Sequence, residues 1–303
     1  MTVTLSFGAT FKAFRLEQNL SLSQAAGDIV GKSFLSKFER GQSAISAEKL
    51  WALLQRMNIT VSEFQYRALG YTRTTSEAFF AQLREAVANN RQNIAAVDKL
   101  ISQAEIRFNQ TRLPTDRVNA IAARAIKYTI LNGQKLPQDQ IDYVADYLFR
   151  AEEWRSYHLQ VISYMLIYLA DATRRQIAQT LITQVSKFQA IAGNREQATE
   201  ILLNILALMI RDRHFQEVTE MLGLLAKNSG IQASLTSSIA FYALKSAYWF
   251  VSGEEARGRS ELQWVFQTLH HLGEDEYAQA LNHQWYQLTR QRIDYAPDMF
   301  DQD

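Results

Sequence analysis

The chain has 303 residues, 47% of them hydrophobic, and a formal net charge of +1. That apolar content supplies a sizeable core and excludes a wholly disordered chain, while the absence of cysteine excludes disulfides, thiolate metal sites and cysteine nucleophiles. Only 12 glycines and 3 prolines occur, too few for the turns of a strand-rich fold, so an all-α protein is predicted.

From about Ser6 to Gln18, Phe7, Phe11, Phe14 and Leu16 recur at near-helical spacing and predict a first helix. Ser21, with Gln24 three residues on, forms a capping box for a second helix, which Gly27 weakens and Val30-Gly31 ends. A third helix is predicted from Lys32 to Glu39, stopped by Gly41. Ser46 caps a fourth, Ala47 to Met57, with Leu50, Leu53 and Leu54 inward. Thr60 and Glu63 box a fifth that runs towards Leu69.

The second and third of these are short and joined by a tight turn, the spacing of a helix-turn-helix that presents its second member to a major groove. Ala25 and Ala26 are small where the helices must cross, and Leu35 and Phe38 anchor the recognition helix inward. Lys32, Ser33, Ser36 and Lys37 then face outward, with Arg40 at the helix end, a cationic and hydroxyl-bearing face suited to phosphates and base edges. Residues 1–67 carry eight Lys/Arg against five Asp/Glu, and the remainder 24 against 26. The basic end suits a double-stranded DNA operator as partner.

Gly70 to Thr75 breaks the periodicity and is taken as a linker. The expected organisation is a DNA-binding domain over 1–69, a linker over 70–75, a helical repeat domain over 76–293 and an acidic tail over 294–303. Amphipathic helices are predicted near 76–89, 92–110, 115–132, 138–151, 153–169, 172–190, 195–212, 214–228, 233–252, 255–272 and 275–292. Paired through short loops they give units of roughly 35–42 residues, in the range of tetratricopeptide (TPR)-like repeats. The expectation is a right-handed TPR-like superhelix whose concave face takes an extended peptide. An irregular helical bundle without a groove is the alternative.

The richest apolar stretch, Ile201 to Ile210, holds Asn204 and stops at Arg211-Asp212-Arg213. It is too short to span a membrane, and no basic and apolar leader opens the chain, so a cytoplasmic protein without a membrane partner is expected. Asn204 reads as a buried amide, either satisfied by a neighbouring helix or serving as a clamp for an extended peptide backbone. Arg150 reads either as a solvated helix-end cation or as a partner for a peptide carboxylate. Tyr242, Lys245 and Trp249 share one helix face, as do Trp285 and Leu288 on the last helix. Such a stripe is core or groove wall.

Gly27-Asp28-Ile29-Val30-Gly31-Lys32-Ser33 imitates a phosphate loop, but only three residues separate its glycines and no strand precedes it. The histidines at 158, 214, 270, 271 and 283 show no metal-site spacing. No cofactor, no metal and no catalytic cluster is expected, and the chain is not read as an enzyme.

Residues 5–66 resemble the phage-repressor type of helix-turn-helix, the XRE family, with Phe38-Glu39-Arg40-Gly41 as the most recognisable phrase. The resemblance places groove-reading positions on Lys32, Ser33 and Lys37, and a buried structural ion pair on Arg15 and Glu39. Several relatives carry Gln near position 34. Phe34 stands here, suited either to a thymine methyl or to packing against the partner domain.

The whole architecture resembles the Rgg/GadR/MutR regulators of low-GC Gram-positive bacteria. The match runs through Lys32-Ser33, Leu35 to Gly41, Ile45-Ser46, Leu50, Leu53-Leu54, Asn58-Ile59-Thr60 and Glu63-Phe64. It returns at Glu153-Trp154-Arg155-Ser156-Tyr157-His158-Leu159, where His158 replaces an acid of the family pattern, and at Leu202-Leu203-Asn204. The resemblance implies a homodimeric transcription regulator that binds DNA and answers to a short hydrophobic signalling peptide, as in quorum sensing. The alternative is a helix-turn-helix regulator whose repeats bind a protein.

Overall fold

The computed structural model describes residues 7–70, 75–88, 93–131, 134–183 and 192–291, and among these every regular element is a helix. The all-α expectation holds. The chain divides into two compact units between Arg84 and Glu85. Residues 71–74 of the expected linker and the 294–303 tail lie outside the described residues.

The N-terminal unit contains α1 (Phe7–Glu17), α2 (Leu22–Ala26), α3 (Lys32–Glu39), α4 (Ala47–Arg56) and α5 (Val61–Ala68), and α6 (Thr75–Ala88) begins in it. The expected caps form. Gln24 N–H donates to Ser21 Oγ at 3.2 Å and Ser21 N–H to Gln24 Oε1 at 2.9 Å. The same reciprocal box joins Thr60 and Glu63, and Lys49 N–H reaches Ser46 Oγ. Phe11, Ala25, Ala26, Leu35, Phe38, Leu53, Leu54 and Phe64 form the core. Leu16 is corrected: it is 53% exposed, and Arg15 is buried beside Phe11 instead.

Gly8 sets how closely α1 approaches α3, because a Cβ there would overlap the Phe38 carbonyl oxygen and stand 3.1 Å from Glu39 Cα. Those atoms are backbone and cannot swing aside. Gly8→Ala is therefore expected to cost about 3 kcal/mol, the upper end of ordinary overpacking. Hydrogen exchange of the α1 and α3 amides in the full chain measures it. Unchanged protection would show that the crossing has slack.

The second unit continues with α7 (Ile94–Thr111), α8 (Pro114–Ile130), α9 (Gln138–Phe149), α10 (Ser156–Met165), α11 (Asp171–Thr183) and α12 (Ala192–Arg211). It ends with α13 (Phe215–Leu225), α14 (Ser229–Gln232), α15 (Leu235–Val251), α16 (Glu255–His271) and α17 (Asp275–Thr289). The helices α8, α10, α12, α15 and α17 contact one another in succession. The others pack alongside: α7 and α9 on α8, α11 and α13 on α12, α16 on α15 and α17. Close approach of α15 and α16 depends on Gly258, whose added Cβ would lie 2.7 Å from both Phe250 N and Ser246 O.

One predicted helix is shorter than expected. The 153–169 segment starts at Ser156 because the Trp154 side chain is buried and donates from Nε1 to Leu148 O at 2.8 Å. Arg155 N–H donates to His158 Nδ1 at 3.1 Å, the bond that an acid at that position would accept. Burial, and then the Arg155 charge, push the His158 pKa down, so the neutral ring is the acceptor. The 172–190 segment is helical over Asp171–Thr183, and residues 184–190 of the expected helix lie outside the described residues. Trp285 and Leu288 are core rather than groove wall, at 2% and 7% exposure.

Candidate nucleic-acid interface and ligand-binding face

The position of α3 is held from behind. Arg15 donates from Nε to Glu39 Oε1 at 2.6 Å and from Nη2 to Glu39 Oε2 at 2.8 Å, while its Nη1 reaches Leu20 O at 2.7 Å. Both side chains are buried. The bond to Glu39 raises the Arg15 pKa against the opposing effect of burial. Such a bidentate pair fixes orientation as well as distance. With Leu35 and Phe38 buried beside it, the opposite side of α3 is open: Lys32, Ser33, Lys37 and Arg40 are exposed, Ser36 and Phe34 half-exposed.

Phe34 lies outside the core cluster of its unit. Its ring is instead approached by Lys49 of α4, with Nζ 5.7 Å from the centroid, a cation–π contact. Lys49 was missed in the sequence, where its one legible role is to follow the cap Ser46 by three residues. Arg56, at the C-terminal end of α4, donates to Gln24 O at 2.8 Å and ties α4 to α2.

In the second unit α12 is 20 residues long. Ile201, Leu202, Leu203, Ile205, Leu206, Leu208, Met209 and Ile210 are all buried. Asn204 is not. Contrary to the buried amide expected, it is exposed, on an open line with Glu196, Glu200 and Arg211 that the neighbouring helices leave uncovered. Spacings of four, four and seven put these residues on one stripe of the helix. Partial desolvation, although the side chain stays exposed, and then the Glu196 charge raise the Glu200 pKa. Burial and Glu200 in turn raise that of Tyr277, whose hydroxyl donates to Thr236 O at 3.4 Å. The α12 line is thus flanked by α17 where α17 touches α15.

On α15, Tyr242, Lys245 and Trp249 do share a side, and it meets α16. Tyr242 stands edge-on to Trp264 at 5.3 Å, Lys245 Nζ is 3.2 Å from Glu261 Oε1, and the Arg257 guanidinium lies 3.7 Å from the Trp249 ring centroid. Arg150 caps α9 with its side chain 82% exposed, 3.8 Å from Asp146.

Comparison with known proteins gives the family and the fold. A family model for a helix-turn-helix matches residues 11–64, and the model of the HTH-type transcriptional regulator Rgg, C-terminal domain, matches residues 89–283. The chain belongs to the Rgg family of helix-turn-helix transcriptional regulators. Solved structures share its fold over nearly the whole length. The Streptococcus dysgalactiae SHP pheromone receptor Rgg2 is 20% identical with a TM-score of 0.75, over 92% of this chain and 98% of that one. A protein of Listeria monocytogenes EGD-e is 17% identical with a TM-score of 0.80, over 94% and 97%. PrgX in its complex with iCF10 is 14% identical with a TM-score of 0.70, over 95% and 97%.

In this Rgg-family chain the six candidate DNA contacts form one face of one short helix and its end. The five candidate peptide contacts do not form one cluster. Tyr242, Lys245 and Trp249 lie together on the α15–α16 seam, Asn204 lies on the α12 line and Arg150 at the α9 end. Among the described residues no hydrogen bond, ion pair or ring contact joins Asn204 to the seam. The seam keeps two buried polar atoms unpaired, Trp249 Nε1 and Glu261 Oε2.

Proposed function

We propose that this Rgg-family regulator is a cytoplasmic homodimer that reads a double-stranded DNA operator through Lys32, Ser33, Phe34, Ser36, Lys37 and Arg40. In this reading residues 76–293 dimerise and bind a short apolar signalling peptide that controls DNA affinity. Paired recognition helices suit the two half-sites of an operator. The observation that carries the peptide reading is Asn204, an exposed carboxamide set among buried apolar neighbours on a line whose other exposed members, Glu196, Glu200 and Arg211, are charged. An extended peptide brings N–H and C=O groups that must keep partners when they leave water, and one carboxamide serves both. Tyr242 offers exposed aromatic surface for an apolar side chain beside Trp249 and the Lys245–Glu261 pair, and Arg150, apart from them, offers an exposed cation for a peptide carboxylate. The fold shared with a pheromone receptor and with PrgX supports the same reading.

Asn204→Ala is expected to weaken binding of the peptide encoded beside the gene by roughly 1–3 kcal/mol, leaving operator affinity of the free protein intact. Fluorescence polarisation with labelled peptide, beside an operator shift assay, measures both. Equal peptide affinity would remove Asn204 from the site. A wild-type protein that binds no such peptide would transfer the repeats to a protein partner.

A further inference from the structure

A cleft of about 310 Å³ opens between α7, α8 and α9, away from the α12 line. Half-buried Phe108 and buried Ile121 give it an apolar wall, and Asn109, Arg117, Arg124 and Asp139 give it a polar one. Helix α8 carries three basic side chains with different fates. Lys127 pairs with Asp98 at 2.6 Å. Arg124 pairs with Glu105 and donates to Gln140 Oε1 at 2.7 Å.

Arg117 has no carboxylate partner among the described residues. It lies over the Tyr143 ring instead, 4.1 Å from the centroid, with the Phe108 ring 5.9 Å away. A guanidinium stacked on a ring keeps its N–H edge free, and that edge is the fork that fits a carboxylate. Arg117 is half-buried, so the missing counter-charge is felt more strongly than it would be in open water. Asp139, exposed in the first turn of α9, likewise pairs with no described cation, and the Asn109 amide has no described partner.

We infer that this cleft is a binding site for a free α-amino acid with an apolar side chain. Its carboxylate sits on the Arg117 fork, its ammonium group at Asp139 and its side chain against Phe108 and Ile121. The volume lies at the lower end for ligand pockets, roughly 300–1,000 Å³, which is enough for a single amino acid. The site supplies the regulator with a small-molecule input separate from the peptide.

Isothermal titration of the full-length protein tests this with three probes: L-phenylalanine, L-phenylalaninamide and 3-phenylpropionate. Phenylalanine is expected to bind at one saturable site. Loss of the carboxylate in the amide, or of the fork in Arg117→Ala, is expected to weaken binding by at least about tenfold, or 1.4 kcal/mol. Asp139→Asn is expected to make phenylalanine bind no better than phenylpropionate. Thermal melts of both variants separate lost recognition from lost folding, and the amide tests the carboxylate contact on the unaltered protein. No saturable binding of phenylalanine, or equal affinity for its amide, overturns the inference. So does an Arg117→Ala variant that is folded and binds as wild type does.

Discussion

Glu39→Ala is expected to destabilise the N-terminal unit by about 3–5 kcal/mol, because it leaves a buried guanidinium without its counter-charge. Two of the hydrogen bonds made by Arg15 end on Glu39, at 2.6 and 2.8 Å, and only the bond to Leu20 O would survive. Neither side chain is open enough for water to take over. Arg15→Met together with Glu39→Leu removes both charges at similar volume and is expected to recover most of the loss. The double variant would stay folded while α3 loses the pair that sets its angle on α1. Hydrogen exchange of α1 and α3 against urea in the full chain reads out both variants. A Glu39→Ala unit as stable as wild type would remove the pair from the structural core.

The local chemistry of the N-terminal unit was legible because each signal is carried by neighbours in sequence. The Ser21–Gln24 and Thr60–Glu63 boxes are both three residues apart, and both form. The inward Leu35 and Phe38 and the outward Lys32, Ser33 and Lys37 follow from helix period alone. Contacts between helices were less legible. Nothing near Phe34 in sequence announces Lys49, and nothing near Trp154 announces a helix delayed by its bond to Leu148 O.

Asn204 was misjudged for a different reason. Its immediate neighbours are all apolar and buried, and a reading by neighbours makes it buried too. A reading by period groups it with Glu196 and Glu200, four residues apart each time, and puts it on the open side. The aromatic stripes also divided on tertiary grounds: Trp285 packs 4.9 Å from Phe250 inside the core, while Tyr242 remains 39% exposed.

The second large effect is expected at the DNA. Lys32→Ala and Lys37→Ala should each weaken operator binding by about 1–3 kcal/mol if they contact base edges. If the two contacts are independent, their costs add in the double variant. Both residues are exposed, so the fold should survive and a melt of the double variant should match wild type. A residue that contacts phosphate instead would lower the slope of log affinity on log salt by about 1 when removed. Anisotropy across a salt series therefore separates base reading from phosphate contact at each lysine.

The most direct test of a regulator that reads DNA through α3 is selection of bound duplexes from a random library by the full-length protein, run in parallel with the Lys32→Ala/Lys37→Ala variant. Wild type is expected to enrich one motif of two related half-sites, and the folded double variant to fail to enrich it. No enriched motif, or the same motif selected equally well by the double variant, would contradict reading through α3.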